Sequence, residues 1–163
     1  MTTSILYIHG LDSSPKPSKL KLLESFGTVY ALHLNYRQQA DPFKALSKEI
    51  EHNGITHVIG SSMGGYLGFW LAEKHSLPCL LFNPALDMRS IDLSVERNYN
   101  QSPKRLIVLG EQDEVVDPFN TIDFLKRTSH TKVAQQVIID SKMEHRITEE
   151  KFEYYTNLFF TNG

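Results

Sequence analysis

Short apolar runs alternate with segments of helical periodicity along almost the whole chain. The runs are rich in β-branched and aliphatic side chains, whereas between them apolar residues recur every three or four positions. This alternation is typical of a parallel sheet covered by helices on both faces. We therefore expect a three-layer α/β/α sandwich with about six mostly parallel strands. The predicted strands cover residues 5–9, 28–34, 56–61, 79–83, 105–110 and 136–140.

Capping residues mark several of the predicted helices. Asp41 and Pro42 provide an N-cap and a first-turn proline, and Asn53-Gly54 ends the helix that they open. The segment 84–103 breaks the alternation, because it is polar, weakly periodic and longer than most connections. It is expected to form a short helix or a lid beside a site. The predicted helices cover residues 18–26, 42–53, 63–75, 117–128 and 148–160.

The composition excludes several classes of protein. A chain of 163 residues, 40% of them hydrophobic, has room for one core, so residues 1–163 are expected to form a single domain. The 17 Lys and Arg residues nearly balance the 19 Asp and Glu residues, which argues against binding to nucleic acid or to a membrane surface. The first residues lack the basic region of a secretory signal, and the one cysteine, Cys79, lies in an apolar run. A cytoplasmic location is expected.

The strongest chemical signal is the pentapeptide Gly60-Ser61-Ser62-Met63-Gly64, which matches Gly-x-Ser-x-Gly. A predicted strand ends directly at it and a predicted helix leaves directly from it. That strand–turn–helix geometry is typical of a nucleophile elbow, in which the central serine is held in a strained backbone conformation above the sheet. The other interpretation of the motif is a glycine-rich turn or phosphate-binding loop. The sequence therefore predicts Ser62 as the nucleophile.

A serine nucleophile needs a base and an acid, and on this arrangement both follow later strands. His145 lies after the last predicted strand and before the last helix, so it is the predicted base. Asp113 lies three residues beyond Gly110 at the end of the preceding strand, and it is the predicted acid. Asp117 stays as the alternative acid, although its position before Pro118 favours an N-cap.

The end of the first predicted strand supplies candidates for an oxyanion hole. His9-Gly10 begins a loop in which the N–H of Leu11 is one expected donor, and the N–H of Met63 is the other. His9 itself is expected to hold the loop in place. The expected apolar walls of a substrate site are Leu11, Met63, Phe82, Met88 and Phe119.

On these motifs the sequence resembles the α/β-hydrolase superfamily over nearly its whole length. More narrowly, it is similar to the small YqiA-type bacterial esterases. The segments that carry the likeness are His9-Gly10-Leu11-Asp12-Ser13-Ser14-Pro15, Gly60-Ser61-Ser62-Met63-Gly64-Gly65-Tyr66 and Asn83-Pro84. The resemblance implies a reduced superfamily sheet that lacks its first two strands. It also implies activity on small acyl esters, with Ser62, Asp113 and His145 as nucleophile, acid and base.

The expected function is hydrolysis of short-chain esters through an acyl-enzyme intermediate. The alternatives are a thioesterase or another acyl hydrolase on the same triad, and a binding protein on a hydrolase scaffold that has lost turnover. The expected partner is a small-molecule ester, and the oligomeric state stays open. No metal or organic cofactor is expected, because the sequence has no Cys/His cluster with ligand spacing and no Gly-x-Gly-x-x-Gly motif.

Overall fold

Strands and helices alternate along the chain. The computed structural model describes residues 2–87, 103–128 and 134–161. The elements in these ranges are β1 (Ser4–Ile8), α1 (Pro17–Glu24), β2 (Thr28–Tyr30), α2 (Pro42–Asn53), β3 (His57–Ser61), α3 (Met63–His75), β4 (Cys79–Phe82), β5 (Arg105–Gly110), α4 (Pro118–Thr128), β6 (Gln135–Asp140) and α5 (Glu149–Thr161).

The six strands of the described chain form one parallel sheet in the order β2-β1-β3-β4-β5-β6. The chain starts at the strand next to one edge, adds β2 at that edge, and returns past β1 to add β3 to β6 on the other side. All the strands end at the same edge of the sheet, and ligands of open α/β sheets bind in the crevice at that edge. The prediction of a parallel α/β/α sandwich is confirmed.

The alternating side chains of the inner strands divide the core into two layers. In β1, Leu6 and Ile8 face the layer that α2, α3 and α4 cover, whereas Ile5 and Tyr7 face the layer that α1 and α5 cover. The same alternation holds in β3, β4 and β5, all of which bury apolar residues on both faces. This two-sided burial explains why these strands appear in the sequence as continuous apolar runs.

The predicted second strand is longer than the observed β2, which ends at Tyr30. Beyond it the backbone leaves the ladder, and the N–H of Leu34 donates to Nε2 of His9 at 2.8 Å. A side chain therefore satisfies a backbone donor that the prediction assigned to the sheet. The caps of α2 are as expected, since Asp41 accepts from the N–H of Lys44 and Gly54 is left-handed with φ of 58°.

The predicted lid falls mostly on residues 88–102, which lie outside the described residues, as does Met88. None of the helices in the described ranges has both the length and the apolar composition needed to cross a membrane.

Candidate active site

Ser62 occupies a sharp turn between β3 and α3. Its φ of 53° and ψ of −116° lie outside the regions that residues with a side chain ordinarily adopt. The backbone around it holds this conformation: the N–H of Ser62 donates to the carbonyl of Phe82 at 3.0 Å, and its own carbonyl accepts from Tyr66 and Ala85 at 2.9 and 3.1 Å. Such over-determined strain is common at functional sites.

Two glycines make the turn possible because the backbone on either side packs too closely for a side chain. A Cβ on Gly64 would lie 2.2 Å from the carbonyl oxygen of Ile8, and a Cβ on Gly60 would lie 2.3 Å from that of Gly64. Both distances are far inside van der Waals contact. The glycines of the motif are therefore required by the close packing of α3 on β1 and β3.

The loops that follow β5 and β6 bring an aspartate and a histidine together. Nδ1 of His145 lies 2.8 Å from Oδ2 of Asp113 and 3.1 Å from Oδ1. The Asp113 carboxylate has no exposed surface, whereas 24% of the His145 side chain is exposed. Because an ionised carboxylate can only accept, the neutral imidazole carries its proton on Nδ1 and leaves Nε2 as an acceptor. That is the tautomer required of a general base.

Backbone groups fix the carboxylate of this pair. Oδ1 of Asp113 accepts from the N–H groups of Val115 and Val116, each at 2.8 Å. Asp117 has a different task, because its Oδ1 accepts from Phe119 at 2.8 Å and from Asn120 at 3.1 Å at the start of α4. The structure therefore places Asp113, and not Asp117, against His145.

An open hollow of about 630 Å³ lies beside this pair. Four of its lining residues are acidic, and the full set is Glu111, Gln112, Asp113, Glu114, Val115, Glu144, His145 and Arg146. Ser62 is on the same edge of the sheet, at the end of β3. In the described part of the chain no hydrogen bond joins its hydroxyl to His145. Catalytic hydrogen bonds are often long without substrate and shorten when it binds.

The loop after β1 packs beside the serine and is held by His9. A Cβ on Gly10 would lie 3.4 Å from Cβ of Ser62, which places the loop in contact with the elbow. Nδ1 of His9 lies 2.7 Å from the carbonyl of Gly10, and the Tyr36 hydroxyl donates to the carbonyl of His9 at 2.5 Å. In a trans peptide the N–H points opposite to the C=O, so this contact turns the N–H of Leu11 away from the His9 ring.

Acidification should destabilise the fold through His9. Burial lowers the pKa of this histidine below its ordinary value of 6.5, and burial likewise lowers the pKa values of His57 and His75. The unfolded chain therefore takes up protons before the folded chain does, so stability falls as the pH decreases through about 6.5. Protonation of Nε2 would also break the bond from Leu34. We expect a lower urea midpoint at about pH 5.5 than at about pH 7.5; an equal or higher midpoint would contradict this assignment.

The residues that were predicted to form apolar walls of the site differ in their exposure. Leu11 and Phe119 are exposed by 39% and 59%, in the loop after β1 and in the first turn of α4, so both are available to a ligand. Phe82 is fully buried in the layer covered by α5, where its ring packs on Phe152 and Tyr155 at centroid distances of 5.3 and 6.3 Å. The prediction that Phe82 forms a wall of the site is wrong.

Sequence reasoning gave no role to Asn83, the residue after β4. It is buried, its φ is 41°, and its side-chain amide bonds to the backbone of Gly110, Glu144 and His145. The signals in the sequence are the place of Asn83-Pro84 among the segments that carry the family likeness and the position of a polar residue at the carboxyl end of an apolar central strand.

The parallel sheet, with a strained serine after β3, defines an α/β-hydrolase fold. Within that class, the chain belongs to the family described as Uncharacterised protein family (UPF0227), which matches residues 4–156. The predicted resemblance to YqiA-type hydrolases is thereby confirmed.

Several solved structures share this fold at low sequence identity. A monoacylglycerol lipase from Paleococcus ferrophilus has a TM-score of 0.76 and 14% identity, over 98% of this chain and 95% of that one. The mouse alpha/beta hydrolase domain-containing protein 10 has a TM-score of 0.76 and 14% identity, over 99% and 89%. SOBER1 from Arabidopsis thaliana has a TM-score of 0.74 and 15% identity, over 98% of each chain. These likenesses establish the fold.

Proposed function

We propose that this chain is a serine hydrolase that cleaves small, short-chain acyl esters through an acyl-enzyme intermediate. The observation that carries the proposal is the pairing of His145 with the buried carboxylate of Asp113, at the same sheet edge as the strained Ser62. A nucleophile on a strained turn, and a histidine oriented by a buried carboxylate, are the components that acyl transfer requires. The monoacylglycerol lipase activity named for one structural neighbour is consistent with this chemistry.

In the proposed reaction Oγ of Ser62 attacks the ester carbonyl carbon while Nε2 of His145 accepts the hydroxyl proton. Asp113 stabilises the imidazolium that forms. When the tetrahedral intermediate collapses, His145 gives the proton to the departing alcohol, and the acyl group stays on the serine. Water then attacks the acyl-enzyme while His145 again acts as base. His145 returns the proton to Oγ of Ser62, so the carboxylic acid is released and the serine hydroxyl is restored.

The negative charge of the tetrahedral intermediate needs hydrogen-bond donors at a fixed place. We assign the N–H of Met63, the first residue of α3, and the N–H of Leu11 to this role. The amino end of α3 adds favourable partial positive charge. Losing one such donor typically raises the barrier by about 3–4 kcal/mol. His9 and Tyr36 support the loop that presents Leu11.

The acyl-chain preference tests the substrate class. Each methylene that a site buries contributes about 0.8 kcal/mol, whereas one that extends past the walls contributes nothing. The hollow at His145 is open and carries carboxylates, and Val115 is the one apolar residue among its described lining residues. We therefore expect kcat/KM for p-nitrophenyl esters to reach its maximum at acetate or butyrate and to rise no further up to dodecanoate.

The same series of esters also distinguishes an esterase from a thioesterase and from a binding protein on a hydrolase scaffold. Thioesters with matched acyl groups report the leaving-group preference, and Ser62→Ala measured in parallel removes any background from other hydrolases. A steady rise in kcat/KM from acetate to dodecanoate would rule out the short-chain proposal. No turnover of any ester or thioester would favour a binding protein on a hydrolase scaffold.

A further inference from the structure

The end of β4 lies between the three segments that supply the proposed catalytic residues. β4 is the strand next to β3, which leads to Ser62, and next to β5, which leads to Asp113. The carbonyl of Phe82, the last residue of β4, accepts from the N–H of Ser62, and the N–H of Ala85, three residues further on, donates to the carbonyl of Ser62. Asn83 and Pro84 lie between these two contacts, so the segment that carries Asn83 is fixed to the backbone of the nucleophile on both sides.

The side chain of Asn83 extends from this point to the other two segments. Its Oδ1 accepts from the N–H of Gly110 at 2.8 Å, and its Nδ2 donates to the carbonyls of Glu144 and His145 at 3.0 and 3.2 Å. Gly110 in turn accepts a backbone bond from Asp113 at 3.3 Å. One amide thus connects the serine turn to the loops of both the acid and the base.

An amide is the group that this position requires. It offers one acceptor and two donor hydrogens, and here the acceptor and the donor nitrogen are both used on backbone groups. A carboxylate of the same shape would keep the bond from Gly110 but would place a second acceptor against two carbonyl oxygens. The φ of 41° also favours asparagine, which tolerates the left-handed region better than most residues.

We propose that Asn83 is a positioning residue that sets the His145 imidazole relative to the Ser62 hydroxyl. This inference rests on the proposed function, since it assigns Asn83 a part in the same site. The carbonyl of His145 itself is one of its partners, so loss of the two Nδ2 bonds frees the backbone that carries the base. A shift of about 1 Å in a catalytic group is enough to lower a rate by about 100-fold.

The decisive variant is Asn83→Asp, because it retains the acceptor for Gly110 and removes only the donors to Glu144 and His145. We expect kcat to fall by about 10- to 100-fold while KM stays within about twofold, since substrate contacts are unchanged. A second readout is the downfield proton resonance of the hydrogen shared by His145 and Asp113, which should weaken or disappear. Asn83→Gly, which suits the left-handed backbone and removes all three bonds, should behave in the same way.

Thr56→Val is the matched control. Thr56 also bridges two strands, since its Oγ1 accepts from the N–H of Ser4 at 2.9 Å and donates to the carbonyl of the same residue at 3.0 Å, but it lies at the amino edge of the sheet. Its loss should lower the unfolding midpoint and leave kcat and the proton resonance unchanged.

The outcomes distinguish this inference from the proposed function. An unchanged kcat and resonance in a folded Asn83→Asp would overturn it, as would an equal loss of kcat in Thr56→Val. Failure of both Asn83 variants to fold would limit the residue to stability and would overturn it as well. If the wild type hydrolyses no ester or thioester, the proposed function fails, and the proton resonance still tests whether Asn83 positions His145.

Discussion

Ser62→Ala should retain the fold and lose at least about 10⁴-fold in kcat for ester hydrolysis. The acyl intermediate cannot form without the hydroxyl, and the His145–Asp113 pair then has no proton to accept. The fold should be unaffected because the Ser62 side chain makes no capping bond to α3, and backbone bonds hold the turn. Alanine and serine both carry a Cβ, so the strain at φ of 53° is similar in the two proteins.

Labelling with a fluorophosphonate probe tests, without a substrate, whether Ser62 is the nucleophile. The wild type should be labelled and Ser62→Ala should not. The neighbouring Ser61→Ala is the matched control, since Ser61 is the last residue of β3 and has no part in the proposed chemistry. Labelling that persists in Ser62→Ala, or that disappears in Ser61→Ala, would show that another residue is the nucleophile.

The parallel sheet could be predicted from the sequence because the inner strands of the sheet are apolar on both faces. β5, for instance, is buried along its whole length, and its residues after Arg105 form an uninterrupted apolar run. The position of Ser62 was predictable for a related reason. A strand, two glycines and a helix follow one another within a few residues there, and the packing of Gly64 on Ile8 admits no other residue.

Features that depend on contacts between distant segments were not predictable in this way. β2 ends at Tyr30, and four residues further on the His9 ring accepts from the N–H of Leu34, a bond that no local pattern marks. Phe82 was misassigned because β4 is apolar on both faces, so the periodicity does not tell which face its last residue occupies. The contacts of Asn83 join it to residues 27, 61 and 62 positions away along the chain.

The choice between Asp113 and Asp117 as the acid was predictable only in part. The Asp117-Pro118 pair favoured an N-cap, and in the structure the N–H groups of Phe119 and Asn120 donate to that carboxylate. The sequence could place Asp113 at the rim of the sheet, but it could not show that the loop turns its carboxylate toward His145. That turn depends on the N–H groups of Val115 and Val116, which hold Oδ1.

Asp113→Asn should therefore lower kcat by about 10⁴-fold with little change in the fold. The amide oxygen of asparagine can still accept from Val115 and Val116, so the loop keeps its shape. Its NH₂ group, however, would face Nδ1 of His145 and favour the tautomer with the proton on Nε2. That imidazole cannot accept the proton of Ser62, and no carboxylate remains to stabilise an imidazolium.

Asp117→Asn is the control for the second aspartate. Asparagine and aspartate are about equally good N-caps, so α4 should keep its start, and kcat should stay within about twofold of the wild type. The comparison isolates the charge next to the imidazole, because the two variants make the same chemical change four residues apart. If Asp117→Asn showed the larger loss of kcat, the acid would be Asp117. The observed bond of 2.8 Å between His145 and Asp113 would then have only a structural role.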